Sequence, residues 1–201
     1  MLNIYHVPGT RSVRAIWACE ELQVAYEVTP VDFSAEYRKS DEWRKLNPVG
    51  KVPAMTDGDF AMFESGAMMQ YILDRYGDGQ LQPTPGTIEH ATYLQWCWFA
   101  EATFARPLGE VVNHRRTFGD DAQDAIINEM QGRALLCAKA LDDVVATQDY
   151  VLAGGFSGAD IMMGYSLLLC GRMAPWGDDC SNVSAYFDRL KARPAFAKAS
   201  Q

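Results

Sequence analysis

Histidine is scarce in this chain: only His6, His90 and His114 occur in 201 residues, scattered and without ligand spacing. A bound metal is therefore not expected. Cysteine is no richer in pattern. Cys19, Cys97, Cys137, Cys170 and Cys180 are odd in number, and no two form a C-x-x-C pair. That argues against a disulfide framework and leaves reduced, buried thiols in a cytoplasmic protein as the expectation. Positive charge is in deficit, with 18 Lys and Arg against 26 Asp and Glu, a net charge of −8. A nucleic-acid partner, which needs a cationic surface to displace counterions, is not expected. Long apolar runs are missing too: none approaches the roughly 18 residues of a membrane span. The opening Met1-Leu2-Asn3-Ile4-Tyr5 has neither a basic stretch nor a long apolar one, so no secretory signal is expected.

What is present is an ordinary globular composition, 48% hydrophobic and 22% charged, enough for a full core. The chain has two halves with different periodicity. In the first, residues 2–7 and 25–31 read as strands, and residues 12–22 as a helix carrying Val13, Ile16 and Trp17 at helical spacing. Residues 36–45 are charged and suit a short, loosely packed helix. Residues 53–56 and 60–63 flank Asp57-Gly58-Asp59, a hairpin signal, and residues 65–76 read as a further helix. The βαβ start implies a parallel pair and the hairpin adds antiparallel strands, so the sheet should be mixed. Residues 78–86 carry Gly79, Pro83, Pro85 and Gly86 and read as a linker. After Thr87 the pattern is helical: Tyr93, Trp96, Cys97, Ala100 and Phe104 recur at three- and four-residue steps, as do Ile127, Met130, Ala134, Cys137, Leu141 and Val145. Pro107 should kink or end the first of these helices. Phe156-Ser157-Gly158-Ala159-Asp160-Ile161 combines a capping box with a hydrophobic staple. A last helix is expected over residues 181–191, ending before Pro194. The resulting domains are 1–77, 78–86 (linker) and 87–201.

Three segments of the first half can carry chemistry. In Asn47-Pro48-Val49-Gly50-Lys51-Val52-Pro53, a proline opens a strand. If the Val52–Pro53 bond is cis, the Val52 N–H and C=O can pair with an extended peptide ligand; otherwise Pro53 is an ordinary strand-entry proline. Ser65, after Glu64, can cap the helix behind it, and the amides of that helix start can instead seat a carboxylate. Between the first strand and helix, Thr10, Ser12 and Tyr5 are candidate hydroxyls near a helix start whose dipole favours a thiolate; Ser12 is favoured as a cap. Arg38, Lys39 and Lys51 are basic spots that can pair with a second carboxylate or remain solvated. In the helical half, Trp96, Trp98, Phe99, Phe104 and Trp176 suit a core or an apolar pocket.

In combination and in order, these segments resemble the cytosolic glutathione transferase family over nearly the whole chain. The resemblance rests on Asn47-Pro48-x-Gly50-Lys51-Val52-Pro53-Ala54, then Asp57-Gly58, then Glu64-Ser65. It extends to Trp17-Ala18-Cys19-Glu20-Glu21-Leu22 and Phe156-Ser157-Gly158-Ala159-Asp160. It implies an α/β N-terminal thioredoxin-like domain (βαβαββα, mixed four-stranded sheet) followed by an all-α C-terminal helical bundle. It also implies glutathione as co-substrate, a hydrophobic electrophile held in a cleft between the domains, and a homodimer. Glu64 and Ser65 would hold the γ-glutamyl end, Val52 before a cis Pro53 the cysteinyl backbone, and Lys51 and Arg38 the glycyl carboxylate. Thr10 stands where serine-type members keep the hydroxyl that bonds the glutathione sulfur, with Ser12 as the alternative. Phe99, Thr103, Phe104 and Trp176 would form the second-substrate pocket. No cysteine lies between Pro8 and Val13, which argues against members that use a thiol nucleophile there. A glutathione-dependent isomerase or dehalogenase, or a non-catalytic binding module on the same fold, are the alternatives.

Overall fold

In the computed structural model, which describes residues 1–201, strand β1 (Leu2–His6) buries Leu2 and Ile4 and lies inside a four-stranded sheet. Its neighbours are β2 (Tyr26–Pro30), parallel, and β3 (Ala54–Asp57), antiparallel; β4 (Phe60–Phe63) pairs with β3 across the Asp57-Gly58 turn. The order β2-β1-β3-β4 is the expected mixed sheet. Helix α1 (Val13–Leu22) supplies the crossover between the parallel strands and buries Val13, Ile16 and Trp17. The charged stretch splits into a 3₁₀ turn at Tyr37–Lys39 and α2 (Asp41–Leu46). The Ser40 hydroxyl caps α2 by accepting from the Trp43 amide at 3.2 Å. Trp43, the one buried residue of α2, meets the Tyr5 ring edge-on at 5.9 Å between centroids. Helix α3 (Ser65–Tyr76) packs against α1 and buries Met68, Met69, Ile72 and Leu73.

The second compact unit, Gln82–Lys191, is helical. It comprises α4 (Ile88–Trp98), α5 (Arg106–Phe118), α6 (Asp124–Val145), α7 (Gly158–Met173) and α8 (Ser181–Lys191). Pro107 neither ends nor simply kinks the first helix. A π-helical segment, Phe99–Ala105, joins α4 to α5, and Pro107 falls in the first turn of α5, where its missing N–H is harmless. Two carbonyls of the wide turn are satisfied from outside: Ser166 on α7 donates to the Ala100 carbonyl at 2.7 Å, and the Cys137 thiol on α6 to that of Thr103 at 3.8 Å. At the start of α7 the Ser157 hydroxyl accepts from the Ala159 amide and Asp160 reaches back to the Ser157 amide at 2.8 Å. Asp160 also takes the Val151 amide and the Tyr186 hydroxyl.

The chain then returns. Residues Ala192–Gln201, expected in the helical half, belong to the first unit with Met1–Leu81. A short α9 (Pro194–Ala199) packs on α1. Phe196 lies edge-on to Trp17 at 4.8 Å, Arg193 reaches both carboxylate oxygens of Glu21 at 2.6 and 2.7 Å, and Lys198 pairs with Glu20.

Candidate functional site

Strand register brings the candidate segments to one end of the sheet. Tyr5 on β1 stands opposite Ala54 on β3, and Ala54 stands opposite Phe63 on β4. The residues just beyond these, His6 closing β1 and Val7–Ser12 after it, Lys51–Pro53 before β3 and Glu64–Ser65 after β4, therefore lie toward that end of the sheet.

The β1–α1 connection carries a chain of polar contacts. Thr10 Oγ1 donates to the Val7 carbonyl at 2.8 Å and lies 2.9 Å from Ser12 Oγ. Ser12 Oγ lies 2.7 Å from His6 Nδ1 and 3.3 Å from the Val7 carbonyl oxygen. Ser12 was expected to cap α1; instead it is wholly buried, has helical backbone angles and makes no side-chain cap. Its hydroxyl points back at β1 because His6 is there. Thr10 is half-buried, so of the two hydroxyls it is the one with an open side. Tyr5 packs its ring on Trp43. Burial lowers the His6 pKa, favouring the neutral imidazole. The thiol of Cys19 on α1 is pushed up to about 12 by burial, with Glu20 adding to the shift, so it is not a nucleophile.

At the start of α3, Ser65 is not the cap either. It is the first helical residue, and its hydroxyl accepts from Arg14 Nη1 at 3.1 Å. Glu64 precedes it at φ 75°, ψ 102°, and its side chain caps nothing. A non-glycine residue at positive φ is uncommon and costs on the order of 1–3 kcal/mol. The amides that open α3 are thus left without a side-chain cap, and the helix dipole directs them toward an anion. Arg14 itself is fully buried on α1.

The third segment is held by Asn47. Its Nδ2 donates to the Pro53 carbonyl at 3.2 Å and its Oδ1 accepts from the Val49 amide at 3.3 Å. Gly50 closes the turn at φ 65°, and a Cβ there would stand 2.4 Å from the Arg38 carbonyl oxygen. Only glycine fits both the backbone angle and the close approach. The Val52–Pro53 bond is cis. Val52 lies just before the sheet ladder, which begins at Ala54. Lys51 is exposed. Arg38 spends its Nε on the Phe33 and Ser34 carbonyls and stacks on the Phe33 ring at 4.6 Å, so part of its fork braces the loop.

Three of the four residues expected to line a second pocket, Phe99, Thr103 and Phe104, lie on the one π-helical segment. Phe104 is fully buried in the helical unit, its ring 6.4 Å from that of Phe99. Trp176, after α7, belongs to another aromatic pair, edge-on to Phe187 with its indole N–H donated to Ser184. Phe99 is half-buried and Thr103 exposed. Thr103 borders a groove of about 450 Å³ with Arg106, Leu136 and Cys137. Two residues were not picked out from the sequence, His6 and Arg14, and Asn47 was named only as the start of its motif, with no role assigned. Of the first two, Arg14 alone left a signal, a charged residue between Val13 and Ala15 on the apolar stretch of α1.

Residues 1–74 match the family described as Glutathione S-transferase, N-terminal domain. The chain is 30% identical to Glutathione S-transferase 3 of Zea mays over 207 residues, covering 98% of this chain and 92% of that protein. It is 28% identical to Glutathione S-transferase F10 of Arabidopsis thaliana, covering 100% and 96%. Among solved structures, the glutathione transferase URE2P6 from Phanerochaete chrysosporium, in complex with oxidized glutathione, superposes with a TM-score of 0.89. It is 25% identical, covering 98% of this chain and 94% of that one. A mixed four-stranded thioredoxin-like sheet followed by a helical unit is the glutathione transferase fold. The chain belongs to the glutathione S-transferase family.

Proposed function

We propose that this protein is a glutathione transferase whose first unit holds glutathione across one end of its sheet and activates its sulfur. The observation that carries the reading is the uncapped start of α3, behind a residue at φ 75°; the strand ends that lead to it, to Val52 and to the Thr10 turn are in register, which supports a single site. The γ-glutamyl carboxylate is assigned to the Ser65 hydroxyl and the α3 amides, and the γ-glutamyl amine to the Glu64 carboxylate. The cysteinyl backbone pairs with Val52 ahead of Pro53 as a short added strand. Lys51 and the outer edge of the Arg38 guanidinium face the glycyl carboxylate.

The thiol of free glutathione, with a pKa near 8.5, is mostly protonated at neutral pH. A hydrogen bond from Thr10, aided by the start of α1, favours the thiolate; each unit of pKa lowered corresponds to about 1.4 kcal/mol. The thiol proton passes to solvent. The sulfur lone pair then forms a bond to an electrophilic carbon, and the leaving group departs with its bonding electrons. Positioning and nucleophile activation together supply the rate. The apolar electrophile is assigned to the accessible part of the π turn, half-buried Phe99 and exposed Thr103, on the helical unit. We assign the protein to the cytoplasm, a compartment that suits five cysteines none of which is paired in a disulfide. Two copies are assigned to the working form, giving twice the 22.4 kDa chain mass in sedimentation.

Retention on immobilised glutathione, followed by conjugation of a chloronitrobenzene, tests the reading. Retention with turnover is the expected result. Absence of retention would overturn it, and retention without turnover would point to a binding module instead.

A further inference from the structure

Three short contacts run in series through the β1–α1 turn: His6 Nδ1 to Ser12 Oγ at 2.7 Å, Ser12 Oγ to Thr10 Oγ1 at 2.9 Å, and Thr10 Oγ1 to the Val7 carbonyl at 2.8 Å. Each needs one hydrogen. The two hydroxyls carry one hydrogen apiece, and a carbonyl carries none. The third must come from the imidazole. Were Nδ1 bare, Ser12 would donate to it. Thr10 would then have to serve Ser12 and Val7 with a single hydrogen, leaving two oxygens in contact with none between them. The three short contacts close only when His6 is protonated on Nδ1 and every donor points the same way, His6 to Ser12 to Thr10; the longer approach of Ser12 Oγ to the Val7 carbonyl oxygen, at 3.3 Å, then carries no hydrogen and yields to the shorter contact with Thr10.

The geometry points to His6 and Ser12 as positioning residues that polarise the Thr10 hydroxyl, through a one-way hydrogen-bond relay, toward the sulfur of bound glutathione. This rests on the transferase reading above. The Thr10 hydrogen is the only one at the free end of the series. Its partner at rest is a neutral carbonyl, and a thiolate offers a charged acceptor and a stronger bond. Thr10 turns to it without disturbing the other two contacts. With Ser12 donating into its oxygen, Thr10 becomes a better donor, because hydrogen bonds in series strengthen one another. No proton moves along the relay; the thiol proton still leaves to water. Ser12 is buried and its hydrogen is engaged with Thr10, which removes it as a direct partner of the sulfur.

Two measurements test this on the intact protein. Nitrogen NMR of the His6 imidazole, assigned by its loss in His6→Asn, should show the hydrogen on Nδ1; a neutral ring protonated on Nε2 overturns the relay, whether or not glutathione binds. Titration of the bound thiol by thiolate ultraviolet absorbance, with binding checked by calorimetry, gives the second. Cooperative strengthening of 10–30% per bond leads us to expect His6→Phe and Ser12→Ala each to raise the bound thiol pKa by about half a unit, roughly a threefold loss of thiolate. Thr10→Val should raise it further. His6→Asn, which can place an amide N–H near Nδ1, should restore most of the shift, where a merely space-filling role would not. Ser12→Ala removes one buried oxygen and serves if His6→Phe does not fold. A bound thiol pKa unchanged in Ser12→Ala or His6→Phe overturns the inference. Failure of the unaltered protein to bind glutathione overturns the transferase reading instead, and the NMR result then decides the relay alone.

Discussion

Arg14 Nη1 donates to Ser65 Oγ at 3.1 Å, joining α1 to the first residue of α3 across 51 positions of sequence. The guanidinium is fully buried and its Nε has no hydrogen-bond partner, so the contacts made by the rest of the fork must offset the cost of burying the charge. The residue proposed to receive the γ-glutamyl carboxylate is therefore oriented from below by a cation.

Truncating that cation should be costly. Arg14→Ala is expected to lower stability by about 3–5 kcal/mol, from the cavity and from the broken network. Arg14→Lys should recover little, because an ammonium cannot reproduce the planar fork. Thermal unfolding of the two variants, read beside glutathione affinity, checks both statements. A Lys variant equal to the parent would show that charge alone is needed.

Ser65→Ala tests the binding role, with thermal unfolding read beside it because Arg14 loses a partner. The lost hydroxyl contacts the proposed ligand and Arg14, so affinity for glutathione should fall about tenfold, the equivalent of one hydrogen bond to a charged group. Calorimetric titration reads the loss. Affinity within twofold of the parent would remove Ser65 from the site.

Asp57 sets an acid limit for the first unit. Its Oδ2 accepts from the Tyr76 and Tyr71 hydroxyls and lies 3.4 Å from Arg75 Nε. The Tyr76 hydroxyl foremost, with that of Tyr71, holds its pKa below the usual carboxylate value. A depressed folded value stabilises the fold above the unfolded pKa, near 3.9, and that contribution is lost as pH falls through the lower folded one. Melting temperatures of the parent and Asp57→Asn should thus differ most at neutral pH and converge in acid. A gap that widens on acidification would contradict this sign.

In the helical unit, Asp160 is buried and receives Val151 N–H, Ser157 N–H, Ser157 O–H and Tyr186 O–H. Asp160→Ala would leave these donors unsatisfied beside a cavity, a loss of about 3–5 kcal/mol. Most of that protein should be insoluble on expression. Asp160→Asn keeps the shape and should be intermediate in soluble yield and melting temperature.

Elements with strong periodicity were legible in the sequence: α3 spans Ser65–Tyr76 and α8 spans Ser181–Lys191, as their apolar spacing and flanking breaks predict. The roles of hydroxyls at helix starts were not. Ser12, Ser65 and Ser157 carry the same local signal, yet only Ser157 caps its helix. Ser12 meets His6 and Ser65 meets Arg14, partners that only the folded sheet supplies. Pro107 announced a disturbed helix, but the π turn depends on Ser166 and Cys137 donating to the altered turn's carbonyls. Phe104 and Trp176 share an aromatic signal that cannot separate core from wall.

The seating of Phe196 on Trp17, and of Arg193 on Glu21, makes the first unit discontinuous along the chain. A nascent polypeptide that has emerged as far as Leu81 holds all four strands, yet one side of α1 is still bare. Its covering arrives only after Gln82–Lys191 has been synthesised and Ala192–Gln201 follows. The half of the molecule made first is thus completed last, and during translation its unfinished tryptophan face is a natural target for chaperones.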